Sequence, residues 1–198
     1  MHKAKKIHLI RHTSPDIASG ICYGQSDLAL SNRFLEETAN IKQRLNEPNY
    51  HTVYTSPLKR CRQLAEQLSY QQIIDDRRLM EMNFGDWELQ HWDHINRDEL
   101  DHWMNDFVHA QTPNGESMLM MNQRVQEFIT ELAGGFKKAE TGGVTTAVIT
   151  HAGVIRLIAA WVLGIPLGNS FRLAMDYGAT FELDLHPDPQ FCQIKACA

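Results

Sequence analysis

The sequence lacks the marks of a secreted, fibrous or membrane chain. Its four cysteines, Cys22, Cys61, Cys192 and Cys197, form no C-x-x-C pair. A chain of this length builds a core without disulfides, so they read as reduced thiols and the protein as cytoplasmic. Long hydrophobic runs are missing too. The longest apolar stretch, Leu157 to Leu167, carries Gly164 and Pro166 and falls well short of the roughly 20 residues that cross a bilayer, which excludes a membrane protein. The basic start through Lys6 is followed only by Ile7, Leu9 and Ile10 before Arg11, too short an apolar region for an export signal. There is no excess of positive charge: 19 Lys and Arg stand against 24 Asp and Glu, a net charge of -5. A nucleic-acid partner is therefore not expected, and any bound anion must be held by a few local cations. No repeat, low-complexity block or Pro/Ser-rich linker divides the chain, so residues 1–198 are expected to form a single domain.

What is present is an alternation of strand and helix patterns. Strands are predicted at Ile7 to Ile10, Thr52 to Thr55, Gln72 to Ile74, Thr145 to Thr150, Ala179 to Leu185 and Gln193 to Ala196. A first helix is expected with Ser31 as N-cap and Phe34, Thr38, Ile41 and Leu45 on one face. A second is opened by Ser56 and Pro57, and a third spans about Trp92 to His109, ended by Pro113-Asn114-Gly115. Met118, Met121, Val125, Phe128 and Leu132 recur at helical spacing, so Ser117 to Leu132 is an amphipathic helix whose methionines fill core. Gly142-Gly143 reads as a turn before the buried strand, and Gly153 to Leu163 as a helix closed by Gly164 and Pro166. Strands separated by helices argue for an α/β fold, a three-layer α/β/α sandwich on a mostly parallel central sheet. Ligands of such sheets bind beyond the carboxyl ends of the strands.

Three turns at that edge carry chemistry. The first strand runs into Arg11-His12-Thr13, the second into Ser56-Pro57-Leu58-Lys59-Arg60, and the buried strand into His151-Ala152-Gly153. Taken singly, Arg11 is an exposed strand-end arginine, His151 a core histidine and Glu81 a solvated acid. Taken together, two arginines and two histidines at one rim suit a phosphate, because a planar guanidinium matches its oxygens in pairs.

These motifs resemble the histidine phosphatase superfamily, the phosphoglycerate mutase-like proteins, marked by R-H near the N-terminus and a second His after a later strand. The resemblance covers nearly the whole chain. The segment Arg78 to Glu88 is similar to the family stretch whose first Glu is the proton donor, a role the resemblance implies for Glu81. Within the superfamily, Glu81 to Glu88, Trp103 to Phe107 and Pro113 to Glu116 resemble the α-ribazole phosphatase branch of cobalamin synthesis, which implies hydrolysis of α-ribazole 5'-phosphate. In this reading His12 attacks phosphorus in line to form a phosphohistidine, while Arg11, Arg60 and a protonated His151 neutralise the phosphoryl group. No metal or other cofactor is expected, because the cationic side chains occupy a metal's electrostatic role. The partner is a small phosphate monoester, and homodimer formation stays open.

The chain departs from the family pattern at Thr13, Ser14 and Ala18, which stand where R-H-G-E-x-x-x-N has Gly, Glu and Asn. Gln25 and Ser26 are candidates to supply the missing phosphate or substrate contact. Trp87, Trp92, Trp103 and Phe107 are either core or the wall of a pocket for an aromatic nucleoside. Glu88 has no role assignable from chemistry. Mutase activity or broad sugar-phosphate hydrolysis, an inactive phosphate-binding module, and a zinc-binding protein using His91 and His94 remain as alternatives.

Overall fold

The computed structural model describes residues 5–135 and 146–197. Six strands form one sheet: β1 (Lys5–Arg11), β2 (Tyr50–Thr55), β3 (Ser69–Asp75), β4 (Thr146–Thr150), β5 (Thr180–Leu185) and β6 (Gln193–Ala196). Their order is β3-β2-β4-β1-β5-β6. The first four strands in that order run parallel, whereas β5 pairs antiparallel with β1 and with β6. Five α-helices accompany them: α1 (Phe34–Arg44), α2 (Lys59–Leu68), α3 (Arg97–Asn105), α4 (Met118–Gly134) and α5 (Ala152–Leu163).

The side-chain period of two sorts the sheet's apolar residues between two cores. Ile7, Leu9 and Val148 face α4 and α5, packing with Val125, Phe128, Ile129, Ile155 and Ile158. Ile10, Val53, Ala147 and Ile149 face the other way, onto Ile41 of α1 and Cys61, Leu64 and Leu68 of α2. A sheet between two helical layers results, the three-layer α/β arrangement expected from the alternation. Among the described residues no helix is long and apolar enough to cross a membrane.

Several element starts differ from the sequence expectation. α1 begins at Phe34, because the Ser31 hydroxyl accepts from the Arg33 amide in a turn ahead of the helix instead of capping it. Pro57 lies two residues before Lys59; the carbonyl of Leu58 receives the Cys61 and Arg62 amides and starts α2. The stretch from Trp92 to His109 is not one helix. It is a 3₁₀ turn at Trp92–His94 and then α3, which starts afresh where the Asn96 side chain accepts from the Asp98 and Glu99 amides. Ser117 does cap α4, accepting from Met120, with Met118 and Met121 buried, and Gly164 ends α5 in the left-handed conformation at φ 63°. The expected Gly142-Gly143 turn and Thr145 lie outside the described residues.

Register sets up the site. Arg11 pairs with Thr150 across β1 and β4, and Thr55 with Ile149 across β2 and β4. The His12 amide donates to Thr150 O at 2.9 Å and the Ser56 amide to Ile149 O at 3.0 Å. Three strand ends therefore deliver His12, Ser56 and His151 side by side.

Candidate active site

His12 is 2% exposed and His151 is fully buried, with ring centroids 5.0 Å apart. His12 Nδ1 lies 2.6 Å from the carbonyl of Thr13. A carbonyl can only accept, so this nitrogen carries the proton and Nε2 keeps its lone pair. Burial above all, then the Arg60 and Arg11 guanidinium groups, hold His12 well below the ordinary imidazole range. His151 is pushed the same way, by burial first and then by Arg60, His12 and Arg11. Both shifts favour the neutral rings in the absence of an anion. His151 Nε2 sits 2.9 Å from Ser56 Oγ and 3.5 Å from Cys61 Sγ.

Arg60, in the first turn of α2, is fully buried. It donates to the carbonyls of Ser26 at 2.9 Å and Gly24 at 2.5 Å. Arg11 donates to the carbonyl of Met175. Neither guanidinium meets a carboxylate among the described residues, and the Nε of each is buried without a partner there. A buried and a half-buried cation, each with a buried unspent Nε donor and neutral backbone oxygens for company, form a candidate anion site.

Glu81 lies at the amino end of α5. Its Oε2 accepts from the Gly153 amide at 3.1 Å and its Oε1 from its neighbour Met82. A Cβ on residue 153 would stand 2.2 Å from Glu81 Oε1, so only glycine allows this approach. The Glu81 backbone is held by a residue the sequence did not single out: Arg124 of α4 donates to the carbonyls of Arg78, Met80 and Glu81 while pairing with Glu116 at 2.8 Å.

The backbone amides of Gln25 and Ser26 and the Ser26 hydroxyl are engaged within the protein. The amides donate to the two oxygens of Glu88 at 2.8 and 2.5 Å, the Ser26 hydroxyl also donates to Glu88, and the Gln25 side chain donates to Glu81 O at 3.0 Å. Glu88, without an assignable role in the sequence, fixes the loop whose carbonyls hold Arg60. Ser14, at the family Glu position, is bound through its amide and hydroxyl by Glu37 of α1, both at 2.7 Å. Thr13 is buried and its hydroxyl has no partner among the described residues. Two tyrosines absent from the sequence expectation frame the mouth. Tyr177 stacks on Arg11, with Cζ 4.0 Å from the ring centroid, and its hydroxyl meets that of Tyr23 at 2.6 Å.

Trp87 is buried in a satellite core with Cys22, Ile95 and Leu100, and Trp92 and Trp103 pack against it; these tryptophans are core. Phe107 packs against the α4/α5 core and Trp103, and also meets the exposed Phe171, with centroids 5.2 Å apart. His91 and His94 face each other at 5.6 Å, but among the described residues no group of three metal-ligating side chains gathers there or elsewhere.

The chain matches the family model of the histidine phosphatase superfamily (branch 1) over residues 7–196 and belongs to that superfamily. Its relatives include the adenosylcobalamin/alpha-ribazole phosphatase of Escherichia coli (strain K12), 29% identical over 191 residues that cover 91% of this chain and 90% of that one. The protein of the same name from Salmonella typhi is 25% identical over 190 residues, with the same coverage. Among solved structures, the alpha-ribazole phosphatase from Shigella flexneri superposes with a TM-score of 0.82 at 26% identity, covering 97% of this chain and 95% of that one.

Proposed function

We propose that this protein is a metal-independent phosphomonoesterase that hydrolyses α-ribazole 5'-phosphate to α-ribazole through a phosphohistidine. The observation that carries the reading is the geometry of His12: its Nδ1 held 2.6 Å from Thr13 O, which leaves Nε2 to act, beside two arginines with unspent donors. His12 Nε2 attacks phosphorus as the ester P–O bond breaks, and the Glu81 carboxyl gives its proton to the leaving oxygen. Water then attacks the same phosphorus, Glu81 takes its proton, the P–N bond breaks and inorganic phosphate leaves. Arg11 and Arg60 neutralise the equatorial oxygens throughout, which is most of what phosphoryl transfer asks of a protein. His151 sits where an arriving dianion would oppose the neighbouring cations and favour its protonated form. The named relatives supply the choice of ester.

The test is steady-state hydrolysis of α-ribazole 5'-phosphate, p-nitrophenyl phosphate and 3-phosphoglycerate with EDTA present, by wild type and His12→Ala. The expected result is a strong preference for the first substrate, unaffected by EDTA and lost in the variant. Equal slow hydrolysis of all three would reject the substrate and keep the chemistry. Inhibition by EDTA would reject the metal-free mechanism, and no hydrolysis at all would reject the enzyme.

A further inference from the structure

The phenol pair at the mouth has one proton more than it uses. Each hydroxyl can donate once and accept twice. In the Tyr23–Tyr177 contact at 2.6 Å one hydroxyl donates to the other, and among the described residues neither makes another hydrogen bond. The accepting phenol therefore keeps a hydrogen to give. Its surroundings say what should receive it: Tyr177 lies 4.0 Å from Arg11 Cζ and 5.7 Å from the His12 ring, and Tyr23 lies 5.4 Å from Arg60 Cζ. The pair thus bridges the two guanidinium groups whose Nε atoms are unspent.

We propose that the Tyr23–Tyr177 pair is a phosphate-binding element of this site, one phenol orienting the other so that its free hydroxyl hydrogen donates to a phosphoryl oxygen. The pair thereby supplies a donor to a site in which Ala18 offers none and the Gln25 and Ser26 amides are committed to Glu88. Burial and the neighbouring phenol push the Tyr23 hydroxyl upward, so it remains a donor at neutral pH. The two tyrosines arrive from distant parts of the chain. Tyr23 sits in the loop that Glu88 anchors, and Tyr177 in the turn where Gly178, at φ 68°, donates its amide to His12 O.

This inference rests on the phosphatase reading for its ligand, and binding of inorganic phosphate tests it without needing turnover. Calorimetry would compare wild type, Tyr23→Phe, Tyr177→Phe and the double variant, with KM and kcat measured alongside. Phenylalanine keeps the rings and the stacking on Arg11, so a merely structural role would leave affinity unchanged. The expected result is phosphate binding weakened roughly ten-fold or more in the worse single variant, a matching rise in KM, and little further loss in the double variant because the hydroxyls act as one unit. Wild-type affinity in all three variants overturns the inference and leaves the phosphatase intact. Weakened binding in the variants of a protein that hydrolyses no ester upholds it and rejects the phosphatase. A wild type that binds no phosphate overturns both.

Discussion

His12 and Glu81 divide the chemistry between them, and each can be removed without disturbing the other's packing. His12→Ala deletes the imidazole nitrogen that would attack phosphorus, so alkaline-quench experiments with ³²P-labelled ester, which preserve the acid-labile P–N bond, should find phosphoenzyme in the wild type and none in the variant. Glu81→Gln keeps the shape of the side chain and its hydrogen bond from Gly153 but has no proton to give, so kcat should fall by about 10²–10⁴. Phosphate affinity should stay within a few-fold, because Arg11 and Arg60 do the binding. Equal losses of kcat and affinity would argue against the acid assignment. Gly153→Ala probes the same carboxylate from the other side. A Cβ 2.2 Å from Oε1 must displace Glu81, and a shift of about 1 Å at a reacting group can cost on the order of 10² in rate. The variant should fold with little change in melting temperature and lose kcat by a comparable factor.

At the scale of elements, the strand ends were legible and the loop that braces them was not. Arg11 ends β1, His12 and His151 directly follow β1 and β4, and Arg60 lies in the first turn of the helix after β2. A β-branched run ending in a charged or imidazole residue marks the rim of a parallel sheet without any knowledge of contacts. Glu88 and Tyr177 carry no such mark. Glu88 meets residues 25 and 26 from more than sixty positions away, and Tyr177 meets Tyr23 across 154 positions. The helix starts at Ser31 and Pro57 were misread for a related reason: a hydroxyl or a proline serves a turn as well as it serves a cap, and tertiary contacts choose. Glu88 yields a prediction of its own. Glu88→Ala strips acceptors from the amides of Gln25, Ser26 and Phe84, and hydrogen bonds to a charged group are each worth about 1.5–3 kcal/mol. Solvent will replace part of that, leaving a destabilisation on the order of 2 kcal/mol. Thermal denaturation should show it, together with a KM rise larger than the kcat loss, because the displaced carbonyls of Gly24 and Ser26 orient Arg60.

For the molecule as a whole, the buried histidines tie stability to pH. His12 and His151 are held well below their ordinary value of 6.5 by burial and the nearby arginines. His8 is also lowered, by burial first and by Lys195 and Lys6, with Glu182 opposing; its ring contacts the Tyr50 hydroxyl at 2.5 Å on the α1/α2 side of the sheet. Well above pH 6.5 these rings are neutral in both the folded and unfolded chain and contribute no slope. Below 6.5 the unfolded chain takes up a proton at each, whereas the folded chain does so only at lower pH. The unfolded state then binds more protons, so stability falls as pH falls, by up to about 1.4 kcal/mol per pH unit for each ring. Asp76 and Glu182 are shifted below their carboxylate values, 3.8 and 4.5, and add to the loss only nearer those values. Denaturant unfolding between pH 7 and 5 should therefore show stability dropping, with a proton uptake on unfolding that grows as the pH falls through 6.5. His8→Gln should reduce that uptake by His8's share alone, since residue 8 faces the opposite core from the rim. A slope unchanged in His8→Gln would count against a lowered His8 alone, whereas stability that rises toward pH 5 would mean that the buried histidines are charged in the folded protein, and a neutral His12 nucleophile would fall with them.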